Sequence, residues 1–170
     1  MMRKARYSAL HLWCPSLPCV GGVVSRSVVA LAAVAVATAG CASMRGGVEG
    51  DFGRAALQIG SAAVSSQLSL TMFADGRNTV AATDTALGDM LEEVDQAASS
   101  TADRAVESSD QAHLRAEVLQ WAEIVLDDIV RGRDIVAGIG PATELPAVAT
   151  ALGEAGNRLQ ALGEELEGAG

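Results

Sequence analysis

Between Leu114 and Val136 the apolar residues fall on one face of a helix, and little else in the chain constrains its fold so strongly. Leu114, Val118, Trp121, Val125, Ile129, Gly132 and Val136 step by 4, 3, 4, 4, 3 and 4, while Glu117, Glu123 and Asp127 fall off that line. That is the spacing that turns one side of an α-helix toward a partner. Gly138-Ile139-Gly140-Pro141 ends the segment, because glycine accepts the left-handed cap and proline cannot continue a helix.

Three further segments read the same way. Val148, Leu152, Ala155, Leu159, Leu162 and Leu166 alternate by four and three in a helix that begins around Leu145-Pro146, with proline in its favoured first turn. Gly153, Gly156 and Gly163 interrupt this helix; each costs about 1 kcal/mol relative to alanine unless it admits a close neighbour. Val80, Thr83, Leu87, Met90, Val94 and Ala97 predict a helix from Thr79 to about Glu107, capped by Asn78. Its end falls at Ser108-Ser109-Asp110, with Ser99-Ser100-Thr101 as the alternative boundary. The earliest helix runs from Asp51, a candidate N-cap, to about Ala74, where Ala74-Asp75-Gly76-Arg77-Asn78 signals a turn. Phe52, Leu57, Val64, Leu68 and Met72 are its expected inward positions, and Ile59, Leu70 and Phe73 lie partly off that stripe. No strand-period run of useful length appears. The expected fold is all-α, an up-and-down antiparallel bundle of about four helices over residues 51–170.

Charge divides the chain sharply. Residues 1–40 carry Arg3, Lys4, Arg6 and Arg26 and no acid; everything after Cys41 carries eight arginines against 21 acidic residues, a formal charge of −13. Nucleic acid is excluded as a partner, since phosphate neutralisation needs clustered Lys and Arg. Anionic lipid headgroups are disfavoured as ligands of the protein surface for the same reason.

At the boundary between the two parts stands an address label. Arg26 closes a cationic region, and Ser27 to Ala39 is an unbroken run of 13 small or apolar residues. That is too short for a helix to span a bilayer, which needs about 20 residues, but fits the core of a signal peptide. Extending it backwards would bury Arg26 at a cost of about 3 kcal/mol. Thr38-Ala39-Gly40-Cys41 follows. These four residues resemble the lipobox of bacterial lipoproteins, with Thr38 in place of the usual leucine. The resemblance covers only the first quarter of the chain. It implies that a signal peptidase recognises Thr38, Ala39 and Gly40 and cuts before Cys41. It also implies that the Cys41 thiol carries a diacylglyceryl group and that residues 1–40 are a signal peptide. The competing reading is an ordinary cleavage site at Ala35-Val36-Ala37 or Ala37-Thr38-Ala39, which would leave Cys41 an unpaired thiol in an exported protein. Residues 1–23 are long for a cationic lead-in, and translation is expected to start near Val23 or Val24. Cys14 and Cys19 beside His11 match no zinc spacing. Residues 41–50, with glycine at 46, 47 and 50, read as a flexible tether.

Chemistry is sparse after Cys41. His113 is the sole histidine there; Asp110-x-x-His113 is one half of a two-metal carboxylate motif whose second half is missing. Glu92-Glu93 and Asp127-Asp128 are neighbours on helices and diverge by about 100°. Gly138-Ile139-Gly140 has no preceding strand or following lysine, so it is no phosphate loop. No catalytic residue, metal ligand or cofactor is expected, and the chain does not read as an enzyme. The expectation is a lipid-anchored component of the cell envelope, on the extracytoplasmic face of the cell membrane, meeting a protein partner. The alternative is a small-ligand or metal-binding lipoprotein with a pocket inside the bundle, lined by Trp121, Met90 and Leu68.

Overall fold

A computed structural model describes residues 46–168. Thr38, Ala39, Gly40 and Cys41, with the start of the tether, lie outside the described residues. Among the described residues there are four long helices and no strand: α1 (Gly47–Ala74), α2 (Val80–Ala102), α3 (Ser109–Val136) and α4 (Leu145–Gly168), with a 3-10 turn at Ala142–Glu144 before α4. The expected helical bundle is the observed architecture.

Pairs of residues across the interfaces fix the directions. Gly53 lies beside Gly163 and Gly60 beside Gly156, so α1 and α4 are antiparallel. Gln58 reaches Glu93 on α2 at 2.8 Å, Arg133 reaches Asp84 across α2 and α3 at 2.8 Å, and Asp128 shares a cleft with Val148 and Ala151 of α4. Each neighbouring pair therefore runs in opposite directions. α1 also touches α3 across the diagonal, Leu70 against Gly132, whereas α2 and α4 do not meet. The cross-section is a rhomb with α1 and α3 on the short diagonal.

α1 departs most from its sequence reading. It begins four residues before Asp51, inside the segment read as a tether. Gly46, with φ 112°, precedes its first turn, and the Gly50 N–H donates to the Gly46 carbonyl at 2.9 Å. Two contacts explain the extension. Val48 packs against the core, and Glu49 brings a negative charge to the helix N-terminus, where it accepts from Gln111 at 2.9 Å. Asp51 is therefore not the cap; it lies within the helix and pairs with Arg54 and Arg104.

The inward face of α1 also differs. Phe52, Ala56, Ile59, Ala63, Ser66 and Leu70 are buried, stepping by 4, 3, 4, 3 and 4. Leu57, Val64 and Met72 are half-buried, and Leu68 is 59% exposed. Of the expected inward residues only Phe52 belongs to the core. The inward stripe is chosen by size: α1 has neighbours on three sides, and alanine, glycine and serine let them approach. Ser66 is accommodated because its hydroxyl donates to the Ala62 carbonyl at 2.8 Å.

Close approach is tightest between α1 and α4. A Cβ placed on Gly163 would sit 2.5 Å from Leu57 Cγ and 2.9 Å from the Gly53 carbonyl oxygen. One placed on Gly156 would sit 2.7 Å from Val64 Cγ2 and 3.0 Å from the Gly60 carbonyl oxygen. The α4 glycines thus mark backbone-to-backbone packing, not a soft helix.

The other boundaries follow from capping. α1 ends in a Schellman motif, with Arg77 N–H bonded to the Met72 carbonyl and Gly76 at φ 67°. Thr79, not Asn78, caps α2. Its backbone is extended, and its hydroxyl accepts from Ala82 N–H at 3.2 Å. α2 stops at Ala102, short of the expected Glu107, and Val106 in the connecting loop packs on the core. Ser108 caps α3 through Gln111 N–H at 3.1 Å. Ser99 and Ser100 stay helical, as does Thr101, whose hydroxyl donates to Ala97. A second Schellman motif at Gly138 (φ 77°) ends α3 where the glycines predicted it.

Candidate functional site

The residues expected to carry the anchor are outside the described part, so the described part is judged by what its surface and core offer. The helix packing places most of the candidate chemistry apart. His113 and Asp110 are both exposed near the start of α3. Glu92 and Glu93 are exposed on α2, with Glu93 accepting from Gln58. Asp127 is exposed whereas Asp128, one residue on, is half-buried, as their divergent directions require. Among the described residues no group of three His, Cys, Asp or Glu converges to hold a metal ion.

Leu68, Met90 and Trp121 do not form a common lining. Leu68 faces outward on α1, while Met90 and Trp121 lean on the core from α2 and α3. Trp121 is half-buried, so it edges the core and does not anchor its centre. The interior between the helices is filled by side chains such as Ala56, Ala63, Leu87, Val118, Val125 and Ile129.

The largest cleft described, about 370 Å³, lies between α1 and α2 near the start of α1. Its polar wall is made by Asp51, Arg54, Gln58, Ser100 and Arg104, and Phe52 and Ala55 form part of the floor. Asp51 accepts from Arg54 on its own helix and from Arg104 just beyond the end of α2. This is a clamp between α1 and the α2–α3 loop, completed by Arg115 donating to the Arg104 carbonyl at 3.2 Å. The sequence reading missed it because nothing in the local pattern brings residues 51 and 104 together. Two similar clamps stand at the other end. Arg133 holds Asp84, and Arg131 donates twice to one oxygen of Glu144, at 2.5 and 3.0 Å. All are partly exposed, where an ion pair contributes about 0–1 kcal/mol.

Two carboxyl groups depart from ordinary behaviour. The hydrogen bond from Gln111 lowers the pKa of Glu49, assisted by a backbone hydrogen bond. Burial raises that of Asp128; Arg131 opposes the rise and the neighbouring Asp127 adds to it. Neither faces a nucleophile or a metal-ligating cluster. Among the described residues one buried side-chain polar atom stands without a partner, the Thr83 hydroxyl, enclosed in the core on α2.

No protein-family model matches this chain, and neither the curated proteins nor the solved structures yield a match.

Proposed function

We propose that this chain is a bacterial lipoprotein, held on the extracytoplasmic face of the cell membrane by lipid on Cys41. In this reading it is a non-enzymatic interaction or scaffold component of the envelope. The observation that carries this reading is the Arg26, Ser27–Ala39 and Thr38-Ala39-Gly40-Cys41 succession, in which charge, apolar core and cysteine follow one another without a gap. The partition of charge supports it: all acids follow the cysteine. Among the described residues no helix is long and apolar enough to cross a membrane.

With α1 starting at Gly47, Gly46 is only five positions after Cys41, a reach of at most about 18 Å. A bundle attached so closely presents its helix faces beside the membrane, which suits a partner that is itself an envelope protein. Feeding cells a clickable fatty acid is expected to label the chain and leave it in the membrane fraction, with Cys41→Ser abolishing the label. A wild-type chain that stays unlabelled and soluble overturns the reading.

A further inference from the structure

The turn that opens α1 is held differently from the rest of the helix. Four of the eight residues from Gly46 to Gly53 are glycine, the residue that loses most freedom in a helix. Gly46 and Gly47 stand at φ 112° and 56°, outside helical geometry. Before Phe52 one side chain, the half-buried Val48, packs on the core; Gly50 is buried but has no side chain to bury. The other ties to the bundle are polar. Glu49 accepts from Gln111 at 2.9 Å, and Asp51 pairs with Arg104. From Phe52 onward the hold is apolar and close. Phe52 is 1% exposed, and Gly53 lies against Gly163 and Leu166 of α4.

Both polar partners belong to one other segment. Arg104 follows the end of α2, Gln111 stands in the first turn of α3, and the loop between them is tied to α3. Gln111 accepts from Glu107 N–H at 2.9 Å, and Arg115 donates to the Arg104 carbonyl at 3.2 Å. The loop is therefore a fixed catch that stays in place when the turn leaves it. Ties to it are exposed or half-exposed, where water competes and each holds weakly. A helix end with few buried apolar contacts opens locally without unfolding the whole.

We infer that residues 46–51 are a strap that closes on this catch and opens as a unit, with its hinge between Asp51 and Phe52. Opening leaves the core intact, because Phe52 and the rest of α1 stay packed. What it changes is reach. Closed, Gly46 is five positions after Cys41, at most about 18 Å; open, the extended chain runs to Phe52, eleven positions on, at most about 40 Å. Given the lipoprotein reading, on which this step rests, the bundle has two heights above its membrane. A partner within reach only at the greater height binds the open form and shifts the balance toward it.

Hydrogen exchange on the full chain, purified from membranes in detergent, tests the strap. In α1 the amides of Gly50 to Ala55 donate to the carbonyls of Gly46 to Asp51, so opening frees them together. They are expected to share one protection factor, at least about tenfold below those of Ile59 to Leu70. Protection that climbs residue by residue from Gly50 is ordinary fraying and overturns the strap, as does protection equal to that of Ile59 to Leu70. Gln111→Ala with Arg104→Ala removes the catch and is expected to lower the shared factor several-fold further, with Ile59 to Leu70 unchanged. Gln111→Ala alone decides the matter if the double variant loosens Ile59 to Leu70 as well. No change at Gly50 to Ala55 overturns the catch. Height is read in vesicles, as energy transfer from a dye on Glu92→Cys to labelled headgroups, and removing the catch is expected to lower it. Unchanged transfer in a chain that carries the fatty-acid label overturns the two heights and leaves the anchor standing. Absence of label overturns the anchor, and the exchange result still decides the strap.

Discussion

The α1–α4 half of the bundle and the α2–α3 half solve the same packing problem in opposite ways. α1 and α4 meet through Gly53, Gly60, Gly156 and Gly163, with backbone carbonyls where side chains usually stand. α2 and α3 meet through larger side chains, Leu87, Val94, Val118, Val125 and Ile129, and are joined at one end by Arg133 and Asp84. Their outer faces carry most of the acid. In the first half close approach supplies dispersion contacts between main chains; in the second, buried apolar area supplies the stabilisation. Glycine is therefore needed where α1 and α4 meet, whereas Gly88 on α2 meets nothing within 4 Å and is a cost.

Two glycine substitutions break that comparison most directly. Gly163→Ala forces a Cβ against Leu57 and the Gly53 carbonyl, and overpacking of this kind costs about 1–3 kcal/mol. The gain in helix propensity offsets about 1 kcal/mol of it. A net loss of up to about 2 kcal/mol is expected from urea unfolding followed by circular dichroism. Gly88→Ala on α2 meets nothing within 4 Å and is expected to stabilise by about 1 kcal/mol in the same experiment. Equal effects of the two substitutions would show that the α1–α4 contact is looser than its geometry.

The α2–α3 side has its own weak point in Thr83, whose buried hydroxyl has no partner. Ser66 and Thr101, buried on α1 and α2, each donate to the carbonyl four residues back. Thr83→Val keeps the shape, removes the orphan and is expected to raise stability by about 1 kcal/mol. Ser66→Ala, measured alongside, should not stabilise, because that hydroxyl is already satisfied.

The smallest effect is electrostatic and depends on pH. Burial raises the pKa of Asp128 in the folded chain above its usual 3.8, so the folded state holds that proton more tightly than the unfolded state. Its contribution to stability is then lost as pH rises from about 3.8 through the raised value. Asp128→Asn is expected to flatten that decline and to shift the urea midpoint slightly upward at neutral pH. A midpoint unchanged across that window would mean that Arg131 fully compensates the burial.

Much of this molecule follows from local chemistry. The number of helices, their termination at Gly76 and Gly138, the Ser108 cap and most inward residues of α2 to α4 are written in periodicity and turn residues; Val80, expected inward, is the first residue of α2 and stands 51% exposed. A helix with one large apolar face has one way to bury it. The divergence of the acid pairs Glu92-Glu93 and Asp127-Asp128 also follows from sequence, because adjacent residues on a helix point about 100° apart. α1 is where this reasoning stops. It has two stripes at the same spacing. The larger side chains, Leu57, Val64, Leu68 and Met72, pointed to the wrong one as the inward face. Which stripe turns inward depends on how closely α2, α3 and α4 approach, and that closeness is set by glycines about a hundred residues away on α4. The early start of α1 and the Asp51–Arg104 clamp have the same origin. Both depend on partners distant in sequence, Gln111 and Arg104, that only the packed bundle brings into reach.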